Sequence, residues 1–351
     1  MFVVGLVLFF FLTKKIGFGL IMENLHELGW VRFIFLVVLA LGWYLCYSLA
    51  WQHILQRPEK LGRGFVLKHL LSAKLAGEAV NYLTPVGSIG GEPARVFMIR
   101  KMVPVSDAVA SVVVDKTLHF FSTLVVVVLG VLMAIVALPL TYKTTWTLII
   151  SVCFLVGLAV FAFVKQQYSA VSSFPKLLHR LGIKWKWLEE RIPKLEAIDQ
   201  SIKMSYRKSP RDVFFSLLYH FAGRILGILE IYFILNFIGV PVSLLTSFFL
   251  GTLTILMNFA FFFVPSGIGL IEGGQVLVFH LLGLQASTGL SLQVIRRIRQ
   301  LLYVVIGLAL MAKGGVDISH LEEVAEKEIE EERIAVAQPI DYHIIPPDVD
   351  N

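Results

Sequence analysis

One polar break in this mostly apolar sequence reads Asn81-Tyr-Leu-Thr-Pro85-Val-Gly87-Ser-Ile-Gly90-Gly91-Glu92-Pro93-Ala-Arg95, and a second reads Asn258-Phe-Ala-Phe-Phe-Phe-Val-Pro265-Ser-Gly267-Ile-Gly269-Leu-Ile-Glu272. In each break a glycine follows the proline by two residues, and a glutamate follows it by seven. Proline and glycine interrupt helices and leave backbone polar groups without helical partners. One such break is equally well a kink that relieves packing. Two matched breaks in the two halves of a membrane protein predict discontinuous helices at an inverted-repeat interface.

The sequence around these breaks is typical of a helical membrane protein. Of its 351 residues, 57% are hydrophobic and 16% are charged, whereas average soluble domains have about 45–50% and about 25%. We therefore predict an all-α, polytopic integral membrane helical bundle rather than soluble domains. Apolar segments near the length of about 20 residues that crosses a bilayer lie at 31–56, 105–138, 146–164, 213–238, 244–264 and 294–313, with shorter broken segments at 66–92 and 265–284.

The segment 165–212 determines the expected topology, because it holds 11 lysines and arginines against 5 acidic residues. Cytoplasmic loops carry such an excess, so this loop is placed in the cytoplasm. Alternating the spans on either side makes 66–92 begin and end inside, and makes 244–284 begin and end outside. Both are predicted to be re-entrant broken-helix hairpins that enter from opposite faces. The first apolar block, 2–22, contains Lys14 and Lys15, and whether it spans fully is left open.

Two domains are predicted. Residues 1–313 form the transmembrane domain, with repeat halves at about 31–138 and 213–313 and the basic cytoplasmic loop 165–212. Residues 314–351 hold 11 acidic and 2 basic residues, which predicts a disordered cytoplasmic tail. With the tail at −9 and the whole chain at +6, the transmembrane body carries +15. This balance favours membrane lipids with anionic head groups as partners, and the lack of a soluble basic domain argues against nucleic acid.

Charged side chains inside the apolar segments are the candidate functional residues. An ionisable group at the bilayer centre costs on the order of 2.5–3.5 kcal/mol on insertion scales, so it faces a partner or a cavity. Broken helix ends also suit a phosphate or carboxylate group. Simpler roles stay open: Arg95 as an ordinary flanking charge, and Glu92 and Glu272 as helix caps or structural partners of the arginines. The predicted substrate-binding residues are Asn81, Pro85, Gly87, Gly90, Gly91, Glu92, Arg95, Asp115, Lys116, Asn258, Pro265, Gly267, Gly269, Glu272, Arg296 and Arg297.

The two breaks, together with Val112-Val-Val-Asp-Lys116, resemble the lysylphosphatidylglycerol synthase transmembrane-region family, also called the flippase-like domain family. The resemblance covers most of residues 1–313 and implies inverted repeats, re-entrant helices and movement of lipids between leaflets. Bifunctional members append a large soluble aminoacyltransferase domain. Only 38 residues follow residue 313, so we expect no lysyl transfer by this chain. Carried over by motif, the family's site residues are Asn81, Pro85, Gly87, Gly90, Gly91, Glu92, Arg95, Pro265, Gly267, Gly269 and Glu272.

The resulting functional expectation is a transporter in the plasma membrane. It would move an anionic, aminoacylated or polyprenyl-phosphate-linked lipid between leaflets, without a cofactor, a metal site or catalytic residues. A separate lipid-modifying enzyme is an expected partner, and a homo-oligomer is left open. The alternative is a membrane-embedded glycosyl- or aminoacyl-lipid transferase or its accessory subunit, with Asp115 and His119 as an acid–base pair and Asp348 and Asp350 as metal ligands. A scaffold whose acidic tail docks a soluble protein is a third hypothesis.

Overall fold

The computed structural model describes residues 18–56, 62–84, 90–137, 141–167, 192–261, 264 and 267–313. Within these ranges the regular elements are helical and no β-strand occurs, which confirms the all-α prediction. The helices are α1 (Phe18–Ile54), α2 (Arg63–Leu83), α3 (Gly91–Ile99), α4 (Val105–Ala137), α5 (Tyr142–Gln167), α6 (Ile192–Lys208), α7 (Pro210–Phe237), α8 (Leu244–Ala260), α9 (Leu270–Leu281) and α10 (Ala286–Lys313).

Three stretches of the described helices are long and apolar enough to cross a bilayer, which agrees with the prediction of a helical membrane protein. Large apolar side chains such as Val31 and Val136 remain exposed on them, as expected for a surface that lipid acyl chains cover. These stretches are Met22–Ile54, Val105–Val136 and Pro210–Phe237, and two shorter apolar helices lie at Thr145–Phe161 and Leu244–Ala260.

The predicted spans match the helices with two shifts. The first helix begins by Phe18 and includes a residue with non-helical angles, Gly29 (φ 65°, ψ 163°). The end of the predicted block 2–22 therefore belongs to α1, and residues 1–17 lie outside the described residues. The last helix, α10, begins at Ala286, before the predicted start at 294. Because it contains three arginines, it is not among the apolar spans, and its crossing of the membrane stays a prediction.

Both predicted helix breaks coincide with helix ends. The first lies between Leu83, where α2 ends, and Gly91, where α3 begins. The second lies between α8 and α9, and there Gly267 and Gly269 have φ values of 58° and 80°. Such angles lie in the left-handed region that side chains disfavour. The prolines and one glycine of the motifs, Pro85, Gly87 and Pro265, fall outside the described residues.

Glycines allow α2 to pack tightly against its neighbours. A Cβ atom on Gly91 of α3 would lie 2.0 Å from the carbonyl oxygen of Gly77 in α2. A Cβ atom on Gly307 of α10 would lie 2.3 Å from the carbonyl oxygen of Leu75 in α2. These close approaches hold the polar side chains of α2 beside α3 and α10. Helices α1 and α7 to α10 share an apolar core that includes Leu36, Ile231, Ile234 and Leu235.

The predicted basic loop 165–212 contains a helix, α6, among its described residues. Ile202 of α6 packs against Val114 of α4, and the Ser201 hydroxyl donates to Asp107 of α4 at 2.8 Å. Residues Met1–Leu310 form one compact unit, and Met311–Asn351 form a second. Of the second unit the structure describes 311–313, the last residues of α10. The predicted acidic tail therefore lies outside the described residues, and the domain division stays a prediction.

Candidate functional site

Two groups of charged side chains lie between the helices. We define the amino-terminal charged cluster as Lys74, Glu92, Arg95, Asp115, Lys116, His119, His220 and Arg224. We define the carboxy-terminal charged cluster as Glu230, Glu272, Arg296, Arg297 and Arg299. Helix α7 contributes to both clusters, and its members His220 and Glu230 are separated by about 15 Å along a helix that rises 1.5 Å per residue.

A buried ion pair forms the centre of the amino-terminal charged cluster. The Lys74 ammonium lies 2.5 Å from the Asp115 carboxylate, and these residues are only 5% and 1% exposed. The indole ring of Trp51 packs near the ammonium, with its centroid 5.4 Å away. Removing one partner of such a pair leaves an uncompensated buried charge, which costs about 3–5 kcal/mol. The pair therefore fixes α2 against α4.

A chain of polar contacts links Asp115 to Arg224 through two histidines. The second Asp115 oxygen lies 3.2 Å from His220 Nε2, and His220 Nδ1 lies 3.3 Å from His119 Nδ1. The other nitrogen of His119, Nε2, contacts the Arg224 guanidinium. Arginine has only donors, so His119 accepts at Nε2 and donates from Nδ1. His220 then accepts at Nδ1 and carries its hydrogen on Nε2, which faces the Asp115 carboxylate without a well-aligned hydrogen bond.

Arg95 and Arg224 are the two cations of the amino-terminal charged cluster without an ion pair to a described residue, and Arg224 contacts His119 instead. Arg95 is 8% exposed, makes no ion pair with the described residues, and its Nε has no hydrogen-bond partner among them. Its side chain packs on Gly77, where a Cβ atom would lie 2.7 Å from Arg95 Nε. Its charge acts on both Lys74 and Asp115. Arg95 is therefore buried inside the protein and is not an ordinary flanking charge.

The residues beside Arg95 order the start of α3. The Gly91 N–H donates to the Asn81 side-chain oxygen at 2.7 Å, so Asn81 caps α3. The Lys116 ammonium lies 2.7 Å from Glu92 Oε1, in a pair that is partly exposed. The other Glu92 oxygen is buried without a hydrogen-bond partner among the described residues.

The carboxy-terminal charged cluster is built on two fully buried glutamates. Glu230 lies 3.0 Å from Arg296 and 2.5 Å from Arg299. The Arg299 guanidinium also packs over the Trp43 ring, 4.6 Å from its centroid. Glu272 accepts the Gly269 N–H at 2.7 Å and pairs with Arg297. Glu272 therefore has both of the structural roles that the sequence left open, a helix cap and an arginine partner.

Each break contains a glutamate seven residues after its proline, and each of these glutamates pairs with a basic side chain on the long helix that follows. Glu92 pairs with Lys116 on the long helix that follows the first break, and Glu272 pairs with Arg297 on the long helix that follows the second. Arg297 also donates to the hydroxyl of Tyr82 at 3.2 Å, which connects α10 to the end of α2. The opposite membrane orientation of the two halves stays a prediction.

The structure does not bring every predicted residue into the clusters. Asn258 is exposed and donates to the carbonyl oxygen of Thr254 in its own helix. The predicted acid–base pair is wrong in its partner, because Asp115 contacts His220 and reaches His119 only through it. Four predicted glycines have no side chain to add to the clusters and form the backbone at the two breaks: Gly90, Gly91, Gly267 and Gly269.

Two central residues were missed from the sequence. Lys74 was not singled out; it is one of two lysines inside the predicted hairpin 66–92, the other being Lys68. His220 was not among the predicted site residues, and no sequence signal pairs it with Asp115 across 105 residues. Among the residues that the structure describes, no group of three or more His, Cys, Asp or Glu side chains is placed to hold a metal ion.

Comparison with known proteins identifies the family. The chain matches the Lysylphosphatidylglycerol synthase TM region family over residues 1–307, and it belongs to that family. It is also 26% identical over 313 residues to a UPF0104 membrane protein from Methanothermobacter thermautotrophicus, which covers 84% of this chain and 89% of that protein. No solved structure matches the chain. The protein is therefore an integral membrane protein of this family, as the resemblance implied.

Proposed function

We propose that the protein moves a lipid with an anionic head group between the leaflets of the plasma membrane. Arg95 is the observation that carries the proposal. A guanidinium that is 8% exposed and makes no ion pair with the described residues is costly inside a membrane protein. An arginine presents parallel donors that match a phosphate group. A lipid head-group phosphate is thus the partner that Arg95 lacks.

The charges around Arg95 support a path for the head group. Lys74 and Lys116 each have an acidic partner, and Arg224 contacts His119, so Arg95 is the cation of this cluster that an entering phosphate can pair with directly. Arg296, Arg297 and Arg299 of the carboxy-terminal charged cluster share two glutamates. Both clusters therefore offer arginines to an anion, at different heights along α7. The acyl or prenyl chains of the lipid remain in the bilayer.

We further propose that the two halves form an inverted repeat. Helices α1 to α4 and helices α7 to α10 follow the same order of long helix, helix, break, short helix and long helix. The Glu92–Lys116 and Glu272–Arg297 pairs occupy corresponding positions after the two breaks. In transporters built this way, one half moves against the other around the substrate site. The two pairs would then open alternately to the two leaflets.

Lipid scrambling in reconstituted vesicles tests the role of Arg95. Arg95→Gln is expected to slow flipping by about tenfold to a hundredfold, because a hydrogen bond to a charged group contributes about 1.5–3 kcal/mol. Arg95→Lys retains the charge but not the parallel donors, and an intermediate rate is expected. The control is Arg211→Gln, which removes an exposed arginine that packs on Phe215. The labelled lipids are phosphatidylglycerol, lysyl-phosphatidylglycerol and a polyprenyl-phosphate-linked sugar, with phosphatidylcholine for comparison.

Equal flipping by folded Arg95→Gln and by the wild-type protein would contradict the assignment of Arg95. No flipping of any of these lipids would contradict the transport proposal. The transferase alternative is then tested by lipid product analysis. Its supporting observation is the contact between Asp115 and His220, 3.2 Å apart, which places an acid beside a base.

Removal of the acidic tail separates transport from a scaffold function. A chain that ends at Lys313 is expected to flip lipids at the full-length rate, because both charged clusters lie within residues 74–299. We propose that the tail instead contacts a separate lipid-modifying enzyme. Co-purification of that enzyme with the full-length protein, and its loss on truncation, is the expected result. Loss of flipping by the folded truncated protein would contradict this division.

A further inference from the structure

We propose that the pair His119–His220 binds a proton in exchange for its contact with Arg224, and that this exchange couples lipid movement to a proton gradient. The coupling rests on the proposed transport function, whereas the exchange itself does not. The proton comes from water and adds to a ring nitrogen of the pair. One N–H bond forms, and the charge of the pair rises by one.

The direction of the hydrogen-bond chain carries this inference. Because Arg224 donates to His119 Nε2, and His119 Nδ1 contacts His220 Nδ1, the tautomers of both rings are defined. In this arrangement each imidazole has one N–H and one lone pair, and both lone pairs are occupied, that of His119 by Arg224 and that of His220 by His119. In its neutral form the histidine pair therefore has both acceptor nitrogens occupied, and no ring nitrogen is free to bind a proton.

An added proton conflicts with Arg224 at either ring. A protonated imidazole carries an N–H at both nitrogens. On His119, the new Nε2–H faces an Arg224 N–H, so two donors meet. On His220, the new Nδ1–H faces His119 Nδ1–H, and His119 must shift its hydrogen to Nε2, where the same conflict arises. Proton binding therefore requires Arg224 to withdraw from the pair.

The neighbouring groups provide a place for the displaced arginine. The groups that face the histidine pair are Tyr47 of α1, Lys74 of α2, Asp115 and Lys116 of α4, and Arg224 of α7. Glu78 follows Lys74 by one helical turn and makes no ion pair with any described residue. Glu78 and Arg224 both interact electrostatically with Tyr47. We expect a displaced Arg224 to move towards Glu78, the acidic group that shares this neighbour.

The exchange alters a contact between two of the predicted spans. Arg224 and His220 lie on α7, whereas His119 lies on α4. The Arg224 contact with His119 joins these helices when the pair is neutral, and it is absent when the pair holds a proton. Helix α7 also carries Glu230, whose arginine partners lie on α10. A change at the histidine pair can therefore reach both charged clusters through one helix.

Nitrogen NMR of histidine-labelled protein in lipid nanodiscs tests the exchange without any transport assay. At neutral pH the wild-type protein is expected to show His119 with its hydrogen on Nδ1 and His220 with its hydrogen on Nε2. In Arg224→Gln the pair is expected to bind its proton at a proton concentration at least about tenfold lower than in wild type, a shift of one pH unit. Lys116→Gln is the matched control, because it removes a nearby cation without removing the contact. Opposite tautomers, or equal shifts in both variants, would overturn the exchange.

Vesicles with an imposed pH gradient test the coupling. With one proton exchanged per lipid, a gradient of one pH unit is expected to maintain a concentration of labelled lipid about tenfold higher in one leaflet than in the other. His119→Gln keeps one donor and one acceptor but does not titrate, and it is expected to abolish the response to the gradient. If the wild-type protein flips lipid but the distribution between leaflets does not change with the pH gradient, the coupling is overturned and the transport proposal stands. Absence of all flipping, with the expected NMR result, would overturn the transport proposal and leave the exchange standing.

Discussion

Replacement of Gly91 with alanine is expected to destabilise the protein by about 3 kcal/mol or more, beyond the 1–3 kcal/mol typical of overpacked side chains. The new Cβ atom would lie 2.0 Å from the carbonyl oxygen of Gly77. That oxygen belongs to the α2 backbone, so it cannot rotate away as the end of a side chain would. Helices α2 and α3 must therefore move apart, and Arg95, which packs on Gly77, moves with α3. Thermal and denaturant unfolding in detergent measures the loss.

Gly227→Ala is the matched control for this substitution. Gly227 lies inside α7, and a Cβ atom there would meet nothing within 4 Å. Alanine is the better helix former by about 0.5–1 kcal/mol, so this variant is expected to be as stable as wild type or slightly more stable. If Gly91→Ala unfolds at the same temperature and denaturant concentration as Gly227→Ala and the wild-type protein, the close approach of α2 and α3 does not stabilise this region.

The membrane helices were predictable because hydropathy is a local property of the sequence. Long apolar segments predicted α4 and α7 within a few residues. The start of α1 was not predicted, because Lys14 and Lys15 divide the apolar block while the helix continues from Phe18. The start of α10 was also missed. The residues before 294 include polar side chains, so hydropathy did not indicate a helix there, although tertiary contacts bury it.

The helix breaks were predictable from proline and glycine, but the partners of their glutamates were not. Spacing placed Glu92 and Lys116 in the same repeat unit, and it placed Glu272 with Arg296 and Arg297 in the other. It did not decide which arginine Glu272 contacts. That choice follows from how α9 packs against α10, where a Cβ atom on Gly289 would lie 3.0 Å from the Gln275 carbonyl oxygen.

The centre of the site depends on tertiary structure in the same way. Lys74 is buried because glycines bring α2 close to α3 and α10, and no local pattern shows that Lys74, rather than Lys68, will lie inside. His220 gains its role from Asp115, which lies on another helix. The composition predicted that charges would be buried, whereas the structure determined which charges meet. Arg95 shows the difference, because its position at the end of the motif favoured a flanking charge over a binding residue.

Glu230→Gln is expected to lower the free energy of unfolding by about 3–5 kcal/mol, the usual cost of removing one partner of a buried ion pair. Glu230 is fully buried and is the acidic partner of both Arg296 and Arg299. A neutral amide has nearly the same shape, so packing is kept while two adjacent guanidinium groups lose their counter-charge. Unfolding in detergent measures the loss. Glu23→Gln, at an exposed position of α1, is the control and is expected to match wild type.

A second substitution separates charge from shape in this result. If uncompensated charge causes the loss, then adding Arg296→Gln to Glu230→Gln is expected to recover about half of it, because one of the two unpaired cations is removed. Arg299 keeps its contact with the Trp43 ring in both variants, so it contributes equally to each measurement. No recovery in the double variant would mean that Glu230 acts through its packing. Recovery would mean that the carboxy-terminal charged cluster is stable only while its arginines have acidic partners, so an anion that displaced Glu230 from Arg296 would have to replace its charge.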